Sequence, residues 1–279
     1  AASDVYKRQQ CTQICGNNTS KAENTGGVRN SSGGTLNLGY ASVYANTGHG
    51  LVNSGTINVI SGYSGNIYDN TKNGICNNKE GIVNIAGSTG IRNNAASGIS
   101  NEGTLNITGS AEISDNGTSG ISNMGTTDVS GNLTVKGAKT GLSNSGTVYL
   151  RSVAGSIKSS GSNAIDNKGK IRVSGQPEIK SDATWSVFNR EQGMLEVSGQ
   201  PQISGKKPVL NRGTLKNNSK IRYGTAALAN DTAVRHESGN LLIAENSVQD
   251  AVHDIFLKKQ QYVTCLLYTS PSPRDYAAS

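Results

Sequence analysis

GISNEGTLNITGSAEISDN, residues Gly98–Asn116, decides how this chain folds. Leu105 and Ile107 stand two positions apart with Asn106 between them, so an extended backbone sends the two apolar side chains to one face, and Thr104 and Asn106 to the other. That is the pattern of a half-buried strand. Ile99 before it and Ile113 after it mark two more short apolar segments, each bounded by Gly, Asn or Ser turn signals.

Outward from this stretch the same text recurs. A box Gly-apolar-x-Asn appears as GVRN at Gly27, GLVN at Gly50, GICN at Gly74, GISN at Gly98 and Gly120, and GLSN at Gly141. It relaxes to AIDN at Ala164, SVFN at Ser186 and PVLN at Pro208, with successive starts 21 to 24 residues apart. A second box reads GTLNL at Gly34, GTINV at Gly55, GTLNI at Gly103, GTTDV at Gly125 and GTVYL at Gly146, with GKIRV and GMLEV as later variants. A third apolar position follows at Val43, Ile67, Ile91, Ile113, Val135, Ile157, Ile179, Ile203 and Ile221.

Three short strands in about 22 residues cannot bury a face alone, so each must pair in parallel with its copy one repeat away. The expectation is an all-β, single-stranded parallel β-helix with three short strands per coil and about nine to ten coils of 20–24 residues. At about 4.8 Å per rung, nine coils make a rod roughly 45 Å long. A helical reading fails, because Gly or Asn interrupts almost every candidate turn before Asn230.

Composition agrees. Of 279 residues, 34% are hydrophobic and 5% aromatic, while Gly supplies 35 and Asn 31, which excludes a large aromatic core. No apolar run approaches the ~20 residues of a membrane-spanning helix. A net charge of +7 is too mild and dispersed to announce a nucleic-acid partner, and four cysteines are too few for a disulfide scaffold.

The Asn that closes the first box falls two positions after an inward apolar residue. Asn30, Asn53, Asn77, Asn101, Asn123, Asn144, Asn167, Asn189 and Asn211 are therefore expected to point inward at one corner as a structural ladder, each amide bonding its neighbour one rung on. A shorter ladder, Asn46, Asn70, Asn94 and Asn116, follows the third apolar position by three.

The two ends depart from the repeat. DVYKRQ (Asp4–Gln9) can be encoded by GATGTGTATAAGAGACAG, and CLLYTS (Cys265–Ser270) by the reverse complement of the same stretch shifted by one base. Both ends thus resemble translated sequencing-adapter sequence. Residues 1–9 and 265–279 are expected to be non-native tails around a β-helix fragment at 10–264. Its clear coils run over 27–229 and its degenerate last coils over 230–264, and the rest of the parent polypeptide would continue at both ends.

With the boxes on the page, the sequence resembles the Gly-Ile-x-Asn-x-Gly-Thr-Leu-x-Ile-x-Gly repeats of pectin-lyase-like right-handed β-helix proteins. The likeness is above all to large secreted or surface adhesin-like proteins of gut bacteria. HDIFLKKQQYVT (His253–Thr264) is similar to the coil that closes repeat blocks in such proteins. The resemblance implies a right-handed helix and a non-catalytic stalk or glycan-contacting scaffold, extracellular or at the cell surface. The alternative is a fragment of a polysaccharide lyase or glycoside hydrolase whose catalytic coils are missing, since one fold hosts both.

Site chemistry is sparse. Gly48-His49-Gly50 is similar to a polygalacturonase motif, but Gly50 simply opens a structural box and no paired aspartates precede it. Glu112 and Glu178 share a repeat column without an acidic cluster, and His49, His236 and His253 fall far apart in the repeat, so no catalytic residue, metal site or cofactor is expected. Cys76 takes an outward position; Cys11 and Cys15, in a truncated coil, leave a disulfide, free thiols or an artefact of truncation open. A Thr column at the start of the second box is broken by Ile82, Lys170 and Met194, which disfavours an ordered-water face.

Charge asymmetry is the remaining signal. Arg151 to Arg222 holds thirteen Lys/Arg against five Asp/Glu. Lys170, Arg172, Arg190, Arg212, Lys216, Lys220 and Arg222 stand at or near outward positions and form the candidate contact for an anionic polysaccharide or cell-wall polymer. The competing account is that they only protect strands and aid solubility.

Overall fold

The chain is a parallel β-solenoid of about nine turns, seen in a computed structural model that describes residues 12–17, 26–62, 64–152, 154–218, 222–223, 234–244, 255–257 and 263–266. Among these residues every element is a strand and every pairing is parallel. The coil opened by Gly98 supplies the strands Ile99–Asn101, Thr104–Ile107 and Ser110–Ser114, and the next coil supplies Ser119–Asn123, Thr126–Val129 and Asn132–Lys136. They pair rung on rung, Ile99 with Ile121, Leu105 with Thr127 and Ile113 with Val135. The boxes therefore mark the register directly.

Alternation fixes what enters the bore. Leu105, Ile107 and Ile113 are fully buried, and their apolar copies from Ile57 to Ile203 are buried likewise, with Ile14 and Leu36 partly buried at the first coils, so three apolar columns fill the interior. Each such side chain contributes about 1.5–3 kcal/mol, which offsets the ordering of a Gly-rich backbone. Thr127 looks misplaced in the Leu105 column, yet it is buried and its hydroxyl donates to Asn123 Oδ1 at 2.9 Å. Box glycines such as Gly98 are there because coils touch: a Cβ on Gly98 would stand 2.5 Å from Ile113 Cγ2 and 2.8 Å from the Gly120 carbonyl.

Three features differ from the sequence expectation. First, the third segment and the following Asn box merge into single long strands at Glu178–Asn189 and Gln202–Asn211, with a register shift between Ser181 and Trp185. Earlier coils turn there through a residue with left-handed backbone, Ala45, Asp69, Asn93 or Asp115, followed by a ladder Asn. SDAT and GKK carry no such pair, and there the strand runs on through the corner.

Second, the short ladder starts one rung earlier than read, because Asn17 Nδ2 donates to Asn46 Oδ1 at 3.0 Å and the strand Thr12–Cys15 pairs with Ala41–Tyr44. Third, the strand Val263–Leu266 pairs Cys265 with Ile243 and Leu266 with Ala244. Solenoid register thus continues two residues past Thr264, where the repeat was expected to end. Residues 1–9 and 267–279 lie outside the described residues.

Candidate functional site

The Asn column is a continuous amide ladder. Nδ2 of Asn30 donates to Oδ1 of Asn53 at 2.8 Å, and the same contact repeats at 2.7–2.8 Å through Asn77, Asn101, Asn123, Asn144, Asn167 and Asn189 to Asn211. Each of the nine is buried. Asn101 shows the full pattern: its Nδ2 also donates to the Gly103 carbonyl at 3.2 Å and, one coil on, to the Thr126 carbonyl at 2.9 Å. The corner backbone that turns away from the strand ladder is satisfied this way. The amides have no exposed face to offer a ligand, so the column is structural.

The second ladder behaves alike, with Asn46 Nδ2 to Asn70 Oδ1 and Asn70 Nδ2 to Asn94 Oδ1 at 2.9 Å, and Asn94 Nδ2 to Asn116 Oδ1 at 3.0 Å. A third ladder was not legible as such. Asn37, Asn58, Asn84 and Asn106, on the outer face of the Thr-box sheet, are bonded in sequence at 2.8–2.9 Å. Register was the available signal for it.

The seven basic candidates fall in three places. Lys170, Arg172 and Lys216 project from the Thr-box sheet, where Arg172 pairs with Glu196 at 2.9 Å and Lys216 reaches the same carboxylate at 3.5 Å. Burial works against ionisation of Glu196, but the hydrogen bond and charge of Arg172, with Lys216, overcome it and hold the carboxyl below its ordinary pKa. Arg190 and Arg212 stand at the corner after the Asn box. Arg222 pairs with Gln202 in the third-segment sheet; its side chain, and all of Lys220, lie outside the described residues.

At that corner the cations are organised by an aromatic ring. Arg190 lies 4.4 Å and Arg212 5.4 Å from the Phe188 ring centroid, the first gripping Asp166 through two hydrogen bonds of 2.5 and 2.6 Å, the second bonding Glu237 at 2.8 Å. Lys168, Glu191 and Gln192 complete a shallow hollow of about 300 Å³. The sequence reading counted cations along the chain and missed Phe188 as their platform. Each partner carboxylate sits one coil away, so the arginines are oriented and largely neutralised.

The other singled-out residues have structural settings. His49 is buried at the start of His49–Asn53 and accepts the Asn73 backbone N–H on Nδ1 at 3.2 Å. Burial, and then the charge of Lys72, lower its pKa. Glu112 and Glu178 do share a column, and each holds a lysine, Lys136 at 2.6 Å and Lys158 at 2.8 Å. Cys76 is half-buried, and burial, with Glu102, pushes its thiol pKa up against the opposing charge of Lys72. Cys15 is exposed and, like Cys76, is a free thiol; Cys11 and His253 lie outside the described residues. Among the described residues no group of three or more His, Cys, Asp or Glu could hold a metal ion, and no helix is long and apolar enough to cross a membrane.

Fold and ladders together define a parallel β-solenoid with asparagine-stacked corners. Comparison of the chain with protein-family models, curated proteins and solved structures returns no match.

Proposed function

We propose that this chain is a non-catalytic segment of a secreted or cell-surface, adhesin-like bacterial protein, a stiff scaffold that spaces glycan-contacting groups along its length. The observation that carries the reading is the unbroken chain of side-chain hydrogen bonds from Asn30 to His236. It crosses nine coil boundaries, about 43 Å at the usual rung spacing. Each coil is tied to the next at the same corner, and outward ion pairs such as Arg151–Asp128 and Arg172–Glu196 also bridge coils. Such a body resists bending and transmits load. Adhesin-like identity and location at the cell surface draw on the resemblance of the Gly-Ile-x-Asn and Gly-Thr-Leu-x-Ile boxes.

The contact role is tested by passing the full chain over an immobilised acidic polysaccharide. Retention at low salt and release as salt screens the charges is the expected result, with weaker retention when Lys170, Arg172 and Lys216 are replaced together by Ser. Absence of retention would remove the contact role. Depolymerisation of the polysaccharide would overturn the non-catalytic reading in favour of a lyase or hydrolase.

A further inference from the structure

The outer face of the third segment carries a hollow of about 370 Å³ in the early coils, within the roughly 300–1,000 Å³ range of small-molecule sites. Ser64, Ser88 and Ser110 form one side, and Asn66, Arg92 and Glu112 the other. Gly90 opens it. Its register partners are Asn66 in one neighbouring coil and Glu112 in the other. A Cβ on residue 90 would stand 2.8 Å from Asn66 Oδ1 and 3.3 Å from Arg92 Nη1.

Arg92 is held in a fixed pose at the rim. Its guanidinium carbon lies 4.7 Å from the Tyr68 ring centroid, and Tyr68 stacks on Tyr44 with centroids 4.8 Å apart and planes 2° from parallel. Nη1 donates to Asn66 Oδ1 at 3.2 Å. A guanidinium has five N–H donors in a planar fork, so this contact orients the group and leaves most donors for another acceptor.

Charge pairing sets Arg92, like Arg29, apart from five arginines of the later coils. Arg151, Arg172, Arg190, Arg212 and Arg235 each hold a carboxylate at 2.9 Å or less. Arg92 holds none among the described residues, and the acid lining its hollow, Glu112, is tied to Lys136 at 2.6 Å. The hollow continues past the same three serines into a second of about 480 Å³, bounded by glycines at residues 62, 87 and 109 and by half-exposed Tyr40.

We infer that this groove binds a carboxylate-bearing sugar residue within a glycan chain. Arg92 takes the carboxylate through its fork, and Asn66 Nδ2 and the serine hydroxyls take ring hydroxyls. The neighbouring sugars run over the glycine corner toward Tyr40. One guanidinium matches one planar carboxylate through two parallel N–H donors. The inference rests on the reading of the rod as a glycan-contacting surface and adds a site remote in sequence from the basic residues at 170–216.

Calorimetric titration of the full chain at low salt tests it, with sialyllactose and trigalacturonate as acidic probes, lactose as the neutral counterpart, and acetate as the bare carboxylate. At least one acidic probe is expected to bind, with lactose and acetate about tenfold weaker or more, since a charge-assisted hydrogen bond is worth roughly 1.5–3 kcal/mol. Arg92→Gln should lose about tenfold or more by the same measure, and Gly90→Val should abolish binding by filling the hollow. Adding Arg92→Gln to the Lys170→Ser, Arg172→Ser, Lys216→Ser variant should cost the same roughly tenfold or more as it does in the parent chain, which separates this site from the later-coil contact. Equal binding of lactose, unchanged binding by Arg92→Gln, or no binding of either acidic probe overturns the site. Loss in the triple variant with retention in Arg92→Gln moves the ligand to the later coils, overturning this site while sparing the contact role. If Gly90→Val fails to fold, Arg92→Gln still decides.

Discussion

Asn211 donates its side-chain amide to Nδ1 of His236, 2.9 Å away, and the two are register partners in adjacent coils. A buried imidazole therefore occupies the tenth rung of an asparagine ladder. Asn211 Nδ2 also donates to the Gly213 carbonyl, which fixes it as the donor and leaves His236 Nδ1 as the acceptor. An imidazole accepting there lacks the paired amide donors with which Asn211 also reaches the Gly213 carbonyl. His236→Asn should restore an amide at that rung and slow hydrogen exchange across Val234–His236 and Asn240–Ala244 by about five- to tenfold, the equivalent of roughly one net hydrogen bond. Exchange in these strands that is unchanged or faster would count against the ladder account.

Removing a middle rung should cost far more than removing an outer one. Asn123 accepts from Asn101 and from Thr127, and donates to Asn144, Gly125 and Thr147. Asn123→Ala strands several buried groups, so a loss of about 2–5 kcal/mol is expected, at 1–3 kcal/mol for each group left unsatisfied. Asn106→Ala, in the solvent-facing ladder, should cost under about 1 kcal/mol. Urea unfolding of both variants measures the difference, and equal losses would show that burial does not separate the two ladders.

The architecture was legible because a solenoid writes its register into the sequence. The Gly-apolar-x-Asn box gave the inner ladder, and alternation in TLNI gave the bore. What escaped needed the third dimension. Arg172, Glu196 and Lys216 occupy one register column, and counting only cations hid the shared carboxylate that binds them. His236 went unrecognised because the search followed residue identity, whereas the rung requires only an acceptor at the right place. The groove at Gly90 unites a missing side chain, an arginine two positions on and an asparagine one coil back. No linear motif records that combination.

Backbone conformation at the third-segment corner offers a gain in stability. Ala45 has φ of 52°, matching Asp69, Asn93 and Asp115 in the equivalent turns of later coils. Alanine in that left-handed region is strained by roughly 1–2 kcal/mol, while Asn and Gly adopt it readily. Ala45→Asn should therefore stabilise the chain by about 0.5–1 kcal/mol, and Gly137→Ala, where φ is 73° and a Cβ would collide with Asp115, should destabilise it. Thermal unfolding of the two variants should shift in opposite directions; a shared direction would contradict the conformational argument.

His49 gives the fold a predictable response to acid. Burial and the neighbouring Lys72 charge lower its pKa below the ordinary 6.5, so the unfolded chain takes up a proton before the folded one does. The stabilisation from keeping His49 neutral is complete above the unfolded value. It is lost progressively as pH falls from about 6.5 toward the lowered folded value. Over that window the unfolding free energy should rise with pH, and His49→Gln, which keeps a side-chain acceptor near the Asn73 N–H, should flatten the slope. Urea unfolding at stepped pH provides the measurement. A slope as steep in His49→Gln as in the parent chain would assign the acid sensitivity to other groups, and a slope of opposite sign would mean that His49 is charged in the fold.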